Sequence, residues 1–470
     1  MSNKKIKRIF LINLPFEKIY EKTNLRGIAP STPPLSSACI AGSLLEKKHE
    51  VRIFDFNVYE EGKSEFIRQL KEFNPDFVGI SFVTPLFKEM KRVVETIKSI
   101  DRNIITIGGG PHCSSFPEET LEDSSLDIVV IGEGDITIKE IVGNKNLLKI
   151  KGIAYKRNGK IFVNEKRELI KNLEYLPFPA YNLYQIEKYR VPSAIARKNP
   201  VAWVETSRGC PYECIYCNKS CFGRIFRFKS PERVVSEFIK IKELGFREIH
   251  LTDDGFTTDI NRAKKICNLL IEKRVNILWS TITGIRVDRV DLELLKKMKL
   301  AGCYRVYFGI ESGNQEILNR IKKEISLGQV KLAVKWAKEA GLEVAGYFMI
   351  GLPGETKKTM QDTIDFAESL NLDLAKISIT IPLPATELFN ELDRQKLIKT
   401  YDWEMFKFYS TPSSIYDHKN LSWKIINKYY HKFYRTIYLN PRFIINRLKT
   451  SIKNGTILED IKIALSIKWI

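Results

Sequence analysis

The chain has 470 residues, eight cysteines and a formal net charge of +20. That length suits two or three domains rather than one, and no apolar run reaches the ~18–20 residues of a membrane span. The basic start Met1-Ser-Asn-Lys-Lys-Ile-Lys-Arg8 leads straight into a strand-like run, so no signal peptide is expected; the cysteines then belong to a reducing cytoplasm, not to a disulfide framework. The positive excess is diffuse, which favours a solvated basic surface over specific nucleic-acid binding.

Residues 1–145 alternate strand and helix signals. Strands are expected at 9–13, 51–55, 77–81, 104–107 and 127–131, with periodic helical segments at 35–47, 65–73 and 88–100 between them. This βαβα order predicts an α/β domain with a doubly wound, Rossmann-like parallel sheet and its ligand at the strand C-termini. Four loops stand there: Pro30-Ser-Thr-Pro-Pro-Leu35, Ser81-Phe-Val-Thr84-Pro85, Gly108-Gly109-Gly110-Pro111-His112-Cys-Ser114 and Gly132-Glu133-Gly134-Asp135. Glycines at such places let backbone approach a large flat ligand closely.

Residues 146–195 read as a connector. A β-hairpin is expected over 153–163, turned at Asn158-Gly159. The Pro-rich Leu176-Pro-Phe-Pro-Ala180 then fits an extended linker.

From 196 to 395 the alternation resumes. Strands are expected at 202–205, 248–252, 278–283, 305–310, 344–350 and 375–380, and helices at 231–244, 261–273, 291–299, 327–340 and 357–370. Six βα units put the site at the C-terminal face of the strands. The loop after the first of them reads Arg208-Gly-Cys210-Pro-Tyr-Glu-Cys214-Ile-Tyr216-Cys217. Three thiolates spaced C-x3-C-x2-C can hold three irons of a [4Fe–4S] cluster and leave the fourth open to a substrate or cofactor. A zinc site is the other reading of three cysteines in a loop. Zinc takes four ligands, commonly as two C-x2-C pairs; no second pair follows, and Cys221, Cys267 and Cys303 are scattered.

The cysteine stretch, with aromatic Tyr216 just before its last cysteine, resembles the radical S-adenosylmethionine (SAM) superfamily, and the six βα units resemble that family's partial (β/α)6 barrel. The resemblance implies the catalytic and cluster-ligating role of Cys210, Cys214 and Cys217, with Tyr216 beside the cofactors. It also implies SAM contacts at strand ends. Asp253 and Asp254 stand where relatives meet the SAM amino group, Glu311 in Gly309-Ile-Glu-Ser-Gly313 is suited to the ribose, and Gly346 and Gly351 lie in the adenine-side segment. Each has a plainer reading: helix caps for the two aspartates, a helix N-terminal acid for Glu311, turns for the glycines. Arg286 and Arg305 are candidate partners of the SAM carboxylate.

Residues 1–145 resemble, loop by loop, the cobalamin-binding domain fused ahead of many radical SAM enzymes. The matches are Pro33-Pro-Leu35, Lys48-His-Glu-Val51 with Asp55, Gly109-Gly-Pro-His112 and Gly132-Glu-Gly134. Ser81, Thr84, Gly108, Gly109, Gly110, Pro111, Gly132, Glu133 and Gly134 are the implied cobalamin contacts. The D-x-H-x-x-G motif, whose histidine coordinates cobalt from below, is absent. His49 and His112 stand in the wrong context to replace it, His112 reading as a surface-loop hydrogen-bonder. The resemblance thus implies base-off cobalamin without a protein histidine.

Together these features imply a cobalamin-dependent radical SAM enzyme that cleaves SAM reductively and methylates an unactivated carbon of a small molecule, with a flavodoxin or ferredoxin as electron donor. A ring-closing or rearranging enzyme without net methyl transfer is the second reading, and a non-enzymatic cobalamin or redox sensor the third. Residues 396–470 form a mainly helical extension in which aromatics, Ile and Leu mix with Lys and Arg. It either packs on the barrel or lies on an anionic membrane, which would point to a lipid or isoprenoid substrate. Cys221 reads as a buried free thiol or as a hydrogen donor.

Overall fold

The computed structural model describes residues 6–20, 30–59, 61–143, 146–407 and 412–466; the basic start 1–5, residues 144–145 at the expected first boundary and the last residues 467–470 lie outside them. Two sheets organise the chain. The first contains β1 (Arg8–Asn13), β2 (Glu50–Asp55), β3 (Phe77–Ser81), β4 (Ile105–Gly109), β5 (Ile128–Val130), β6 (Ile153–Arg157) and β7 (Lys160–Val163), in the spatial order β2-β1-β3-β4-β5-β6-β7. The first five strands are parallel. Between and after them come α1 (Leu35–Leu45), α2 (Gly62–Phe73), α3 (Phe87–Ile100), the short α4 (Pro111–Ser115) and α5 (Pro117–Glu122), and α6 (Gly134–Val142).

Alternation along β1 decides the layers. Phe10 and Ile12 pack with Phe54, Phe66 and Leu70 on one side, while Ile9 and Leu11 pack with Ala41, Leu44 and Ile138 on the other. A strand apolar on both faces has to be covered on both, so α2 lies on one side and α1 and α6 on the other.

One expectation changes here. The hairpin β6–β7, read from sequence as part of the connector, pairs antiparallel onto β5 and widens the first sheet. Ile153 and Tyr155 are buried in the same cluster as Ile128 and Val130, and the hairpin covers what would be an open strand edge.

The chain continues with β8 (Val201–Val204), a ribbon of β9 (Ser207–Arg208) and β10 (Arg227–Phe228), then β11 (Glu248–Leu251), β12 (Leu278–Ser280), β13 (Cys303–Glu311), β14 (Glu343–Ile350) and β15 (Leu374–Ile379). β8 and β11 to β15 form a parallel six-stranded sheet in chain order. The helices among them are α7 (Pro231–Glu243), α8 (Ile260–Glu272), α9 (Leu292–Leu300), α10 (Gln315–Arg320), α11 (Leu327–Glu339) and α12 (Lys357–Ser369). Their starts are set locally. Ser230, Asp259, Asp291, Ser326 and Thr356 each accept the backbone N–H three residues on, satisfying a donor that the first turn leaves without a partner.

α13 (Glu387–Arg394), α14 (Trp423–Tyr438), α15 (Pro441–Asn454) and α16 (Ile457–Ser466) follow. α14 covers the open edge of the second sheet: the hydroxyls of Tyr434 and Tyr438 donate to the carbonyls of Ile377 (3.0 Å) and Ala375 (2.7 Å) on β15. No helix among the described residues is long and apolar enough to cross a membrane.

Buried ion pairs help to join the two halves. Arg208 Nη1 meets Glu133 (2.9 Å) and Asp135 (2.8 Å), and Arg227 Nη1 meets Glu133 (2.8 Å), all four side chains being at most 7% exposed. Burial alone would push Asp135 upward, but Arg208 overrides it and holds the carboxyl below its ordinary value. Further round, Trp403 packs against Phe116 (5.0 Å between ring centres) and His112 (5.6 Å).

Candidate active site at the joint of the two sheets

A cavity of about 860 Å³ lies where the C-terminal ends of β1, β3, β4 and β5 face the loop after β8. Small-molecule sites span roughly 300–1,000 Å³, so it is large enough for more than one ligand group. Ser81, Thr84, Gly108, Gly109, Gly110, Pro111, Gly132, Glu133 and Gly134 line it from the first sheet. Cys210, Tyr216, Cys217, Thr252 and Asp254 line it from the second.

The cysteine loop is shaped by its surroundings. Gly209 has φ +82°, and a Cβ there would stand 2.2 Å from the carbonyl oxygen of Ile225, so only glycine can precede Cys210. The N–H of Cys210 donates to Gly223 O (3.3 Å) and that of Cys217 to Cys214 O (3.2 Å). All three cysteines are free thiols. Burial and the neighbouring Cys210 and Cys214 push Cys217 up to about 11, so that thiol needs a cation to ionise; burial raises Cys210 as well. Among the described residues no three His, Cys, Asp or Glu side chains converge on one metal ion. A [4Fe–4S] cluster does not require that, because each thiolate takes a different iron. The donor set fits the cluster.

The glycine side fits a large ring. Beside Gly109 the nearest atom to an added Cβ is 3.9 Å away, at Val130, whereas Gly110 (φ +100°) has Phe82 O at 2.7 Å. The backbone of this loop is thus tightly held while its surface is free of side chains. None of the five histidines lines the cavity.

Several of the expected contact residues have partners within the protein. Asp253 is not part of the cavity wall and accepts from Thr206 N (2.5 Å), Ser207 Oγ (2.9 Å) and Thr206 Oγ1. It fixes the exit of β8; only Asp254, which accepts from Gly209 N (2.8 Å), faces the cavity. Glu133 is on the wall, but its carboxylate is spent on Arg208, Arg227 and Ile170 N (2.8 Å). Glu311 stands off the wall at φ +67° and pairs with buried Lys323 (2.8 Å). Gly309 makes room for that pair, since a Cβ there would be 2.9 Å from Glu311 Oε1. Gly346 is demanded by packing, with Leu372 Cδ1 2.6 Å from an added Cβ, and Gly351 (φ +75°) lies against Ile426 of α14. Arg305 pairs with Glu343 (2.7 Å) at the opposite, N-terminal end of the strands. Arg286 binds Asp288 (2.8 Å) and stacks on Tyr212 (3.5 Å to the ring centre), inside the cysteine loop.

His112 is not on the surface. It is 1% exposed, its Nδ1 lies 3.3 Å from Thr84 Oγ1, and burial lowers its pKa to about 3. Cys221 is half-buried on the cavity wall, its Sγ 3.4 Å from Ser114 Oγ.

Sequence reasoning missed two cations. Arg208, two residues before Cys210, ties the cysteine loop to Glu133. Lys219, two residues after Cys217, lines the cavity, and its buried Nζ has no hydrogen-bond partner among the described residues. Adjacency to the cysteine motif was the only signal either offered.

The chain matches two family models: "B12 binding domain" over residues 22–142 and "Radical SAM superfamily" over 204–367. It is 35% identical to a protein of Pyrococcus horikoshii described as an uncharacterized methyltransferase, over 94% of each chain. It is 31% identical to the cytidylyl-2-hydroxyethylphosphonate methyltransferase of Streptomyces wedmorensis, over 78% of this chain and 79% of that one. Among solved structures, the cobalamin-dependent S-adenosylmethionine radical enzyme OxsB, with aqua-cobalamin and S-adenosylmethionine bound, superposes with a TM-score of 0.74 at 18% identity, covering 97% of this chain and 72% of that one. At that identity the likeness is one of fold. The cysteine loop, the glycine-walled cavity and these matches lead to one statement: the chain belongs to the radical SAM superfamily, as a cobalamin-dependent enzyme with a B12-binding domain ahead of its radical SAM domain.

Proposed function

We propose that this enzyme transfers a methyl group to an unactivated carbon of a small-molecule substrate. The observation that carries the reading is the single cavity walled by the glycine loops on one side and by Cys210 and Cys217 on the other. When bound, the cluster supplies the electron that cleaves SAM to a 5′-deoxyadenosyl radical, and cobalamin supplies the methyl group.

The protein's own part is to hold and orient. Cys210, Cys214 and Cys217 are the thiolates for three irons. The Gly108, Gly109 and Gly110 backbone, with Ser81, Thr84, Gly132 and Gly134, cradles the corrin ring. No histidine lines the wall, so these residues would hold cobalamin through its ring and edges, in keeping with a base-off form. Asp254 and Tyr216 lie on the SAM side, and Lys219 offers an ammonium without a hydrogen-bond partner among the described residues to a carboxylate or to the anionic cluster. The Glu311–Lys323 pair braces the loop from behind. The +20 charge complements an acidic one-electron carrier of the flavodoxin or ferredoxin kind.

The test is anaerobic. The reconstituted protein is incubated with cobalamin, SAM and a strong reductant beside a Cys214→Ala control. 5′-Deoxyadenosine together with S-adenosylhomocysteine, from the unaltered protein only, is expected. Deoxyadenosine without S-adenosylhomocysteine in the presence of a turning-over substrate would instead support ring closure or rearrangement.

A further inference from the structure

Helix α15 is amphipathic the wrong way round for a packed helix. Its inward stripe is Phe443, Arg447 and Ser451: Phe443 lies against Tyr438 (4.6 Å between ring centres), and Arg447 Nη2 donates to Asp460 of α16 (2.7 Å). Ser451 is buried beside them and also donates to Asp460. Its outward stripe is Ile444, Ile445, Leu448 and Ile452, which are 42%, 52%, 43% and 67% exposed. At 3.6 residues per turn these four cover an arc of about 100°. Leu458 (75%) and Ile461 (45%) on α16 extend the apolar surface.

Charge identifies what covers this face. From residue 418 to residue 458 the chain carries nine Lys and Arg and no Asp or Glu. Arg442, Lys449 and Lys453 are exposed and flank the apolar arc on one side. On neighbouring α14, Lys424, Lys428, Lys432 and Arg435 form one exposed row. Of the acids that follow, Asp460 is turned inward onto Ser193 and Arg447, and Glu459, partly exposed, accepts from Ser193 N and faces Arg190. Asp365 and Glu368 of α12 lie near the start of α15 beside Arg442, but further along the helix Lys449 and Lys453 flank the apolar ridge on one side. Such a ridge suits the interface of an anionic lipid bilayer, where the side chains enter the acyl boundary and the ammonium groups meet phosphates. A second copy of the chain would bring the same cations against each other.

We infer that α15 and α16 form a peripheral docking surface for anionic membranes, so that the enzyme works at a lipid surface. The inference is independent of the reaction proposed above, because none of these residues lines the cavity.

The experiment uses the full-length holoenzyme, kept anaerobic, with vesicles of phosphatidylcholine alone or containing phosphatidylglycerol. Co-sedimentation is expected only with the phosphatidylglycerol vesicles, and salt should weaken it. The Leu448→Ser/Ile452→Ser variant should lose it. Arg442→Gln, Lys449→Gln and Lys453→Gln should each weaken it about fivefold. All variants should keep unaltered SAM cleavage, which shows that they fold. Failure of the unaltered enzyme to pellet with anionic vesicles overturns the inference. So does a concentration-dependent dimer, seen by analytical ultracentrifugation, that the Leu448→Ser/Ile452→Ser variant abolishes.

Discussion

On the side of the first sheet the cavity joins apolar side chains such as Leu11, Phe82 and Ile138 to a stretch of bare backbone, where Gly108, Gly109, Gly110, Gly132 and Gly134 leave room for a ligand's face. On the side of the second sheet it is walled by side chains: Cys210, Cys217, Lys219 and Asp254. The difference follows from the ligands. A broad ring is bound by shape over many small contacts, and removing one weakens the whole by a fraction. An iron cluster is bound through a few bonds from named atoms, and removing one removes the site.

That contrast can be broken or sharpened by experiment. The largest effect belongs to Cys214→Ala, which should abolish cluster loading and SAM cleavage while cobalamin is still retained. Iron content and bound cobalamin, measured on the same sample, decide it; joint loss of both would mean the halves do not bind independently. Next is the joint itself. Glu133→Ala leaves Arg208 and Arg227 buried without their shared partner, and breaking such a pair costs about 3–5 kcal/mol, to be read as a lowered midpoint in urea.

The halves should also respond to pH in opposite directions. In the second, Glu355 is fully buried; its Oε2 accepts from Gly351 N (2.6 Å) and Leu352 N (3.0 Å), its Oε1 has no partner among the described residues, and burial raises its pKa to about 8. The folded protein holds this proton more tightly than the unfolded chain, so its stabilising effect is full below about pH 4.5 and is lost as pH rises through about 8. Glu355→Gln should flatten that alkaline decline, a difference of a few kcal/mol between pH 5.5 and 8.5 in urea titrations. In the first half His112, lowered to about 3, is neutral when folded. Its effect is present above about pH 6.5 and is lost as the solution is acidified toward 3. Gly109→Val comes after these: the site has room for the side chain, so folding should hold while cobalamin retention falls about tenfold, or 1.4 kcal/mol. The smallest effect is Lys219→Met, which should lower the cluster midpoint potential by tens of millivolts, the order expected for losing one nearby charge at an effective dielectric of about 20. Lys219→Arg should restore it.

Legibility in the sequence followed the same divide. Strands buried on both faces and the helices between them are local patterns, and most ends fell within two residues of expectation; the strand expected at 278–283 stops at Ser280, and the helix expected at 65–73 starts at Gly62. The glycine loops were readable because only glycine tolerates Gly110's φ of +100° or the contact at Gly209. Partners distant in sequence were not. Asp253 and Asp254 are adjacent and chemically identical, yet one is spent on Thr206 and Ser207 and the other faces the cavity. Glu133 reads as a ligand contact until Arg208 and Arg227 arrive from 75 and 94 residues away. The placement of hairpin β6–β7 depended on which edge was open, a property of the whole sheet.

The buried joint has a further consequence. Glu133 belongs to a glycine loop of one half, and Arg208 stands two residues before the first cysteine of the other. The two halves look like exchangeable modules, and gene fusion could shuffle them freely if only linkers joined them. A chimera whose first half lacked acids at 133 and 135 would leave Arg227 buried without its carboxylate and Arg208 with Glu205 alone. A designer moving one domain must therefore carry residues 133, 135, 208 and 227 together.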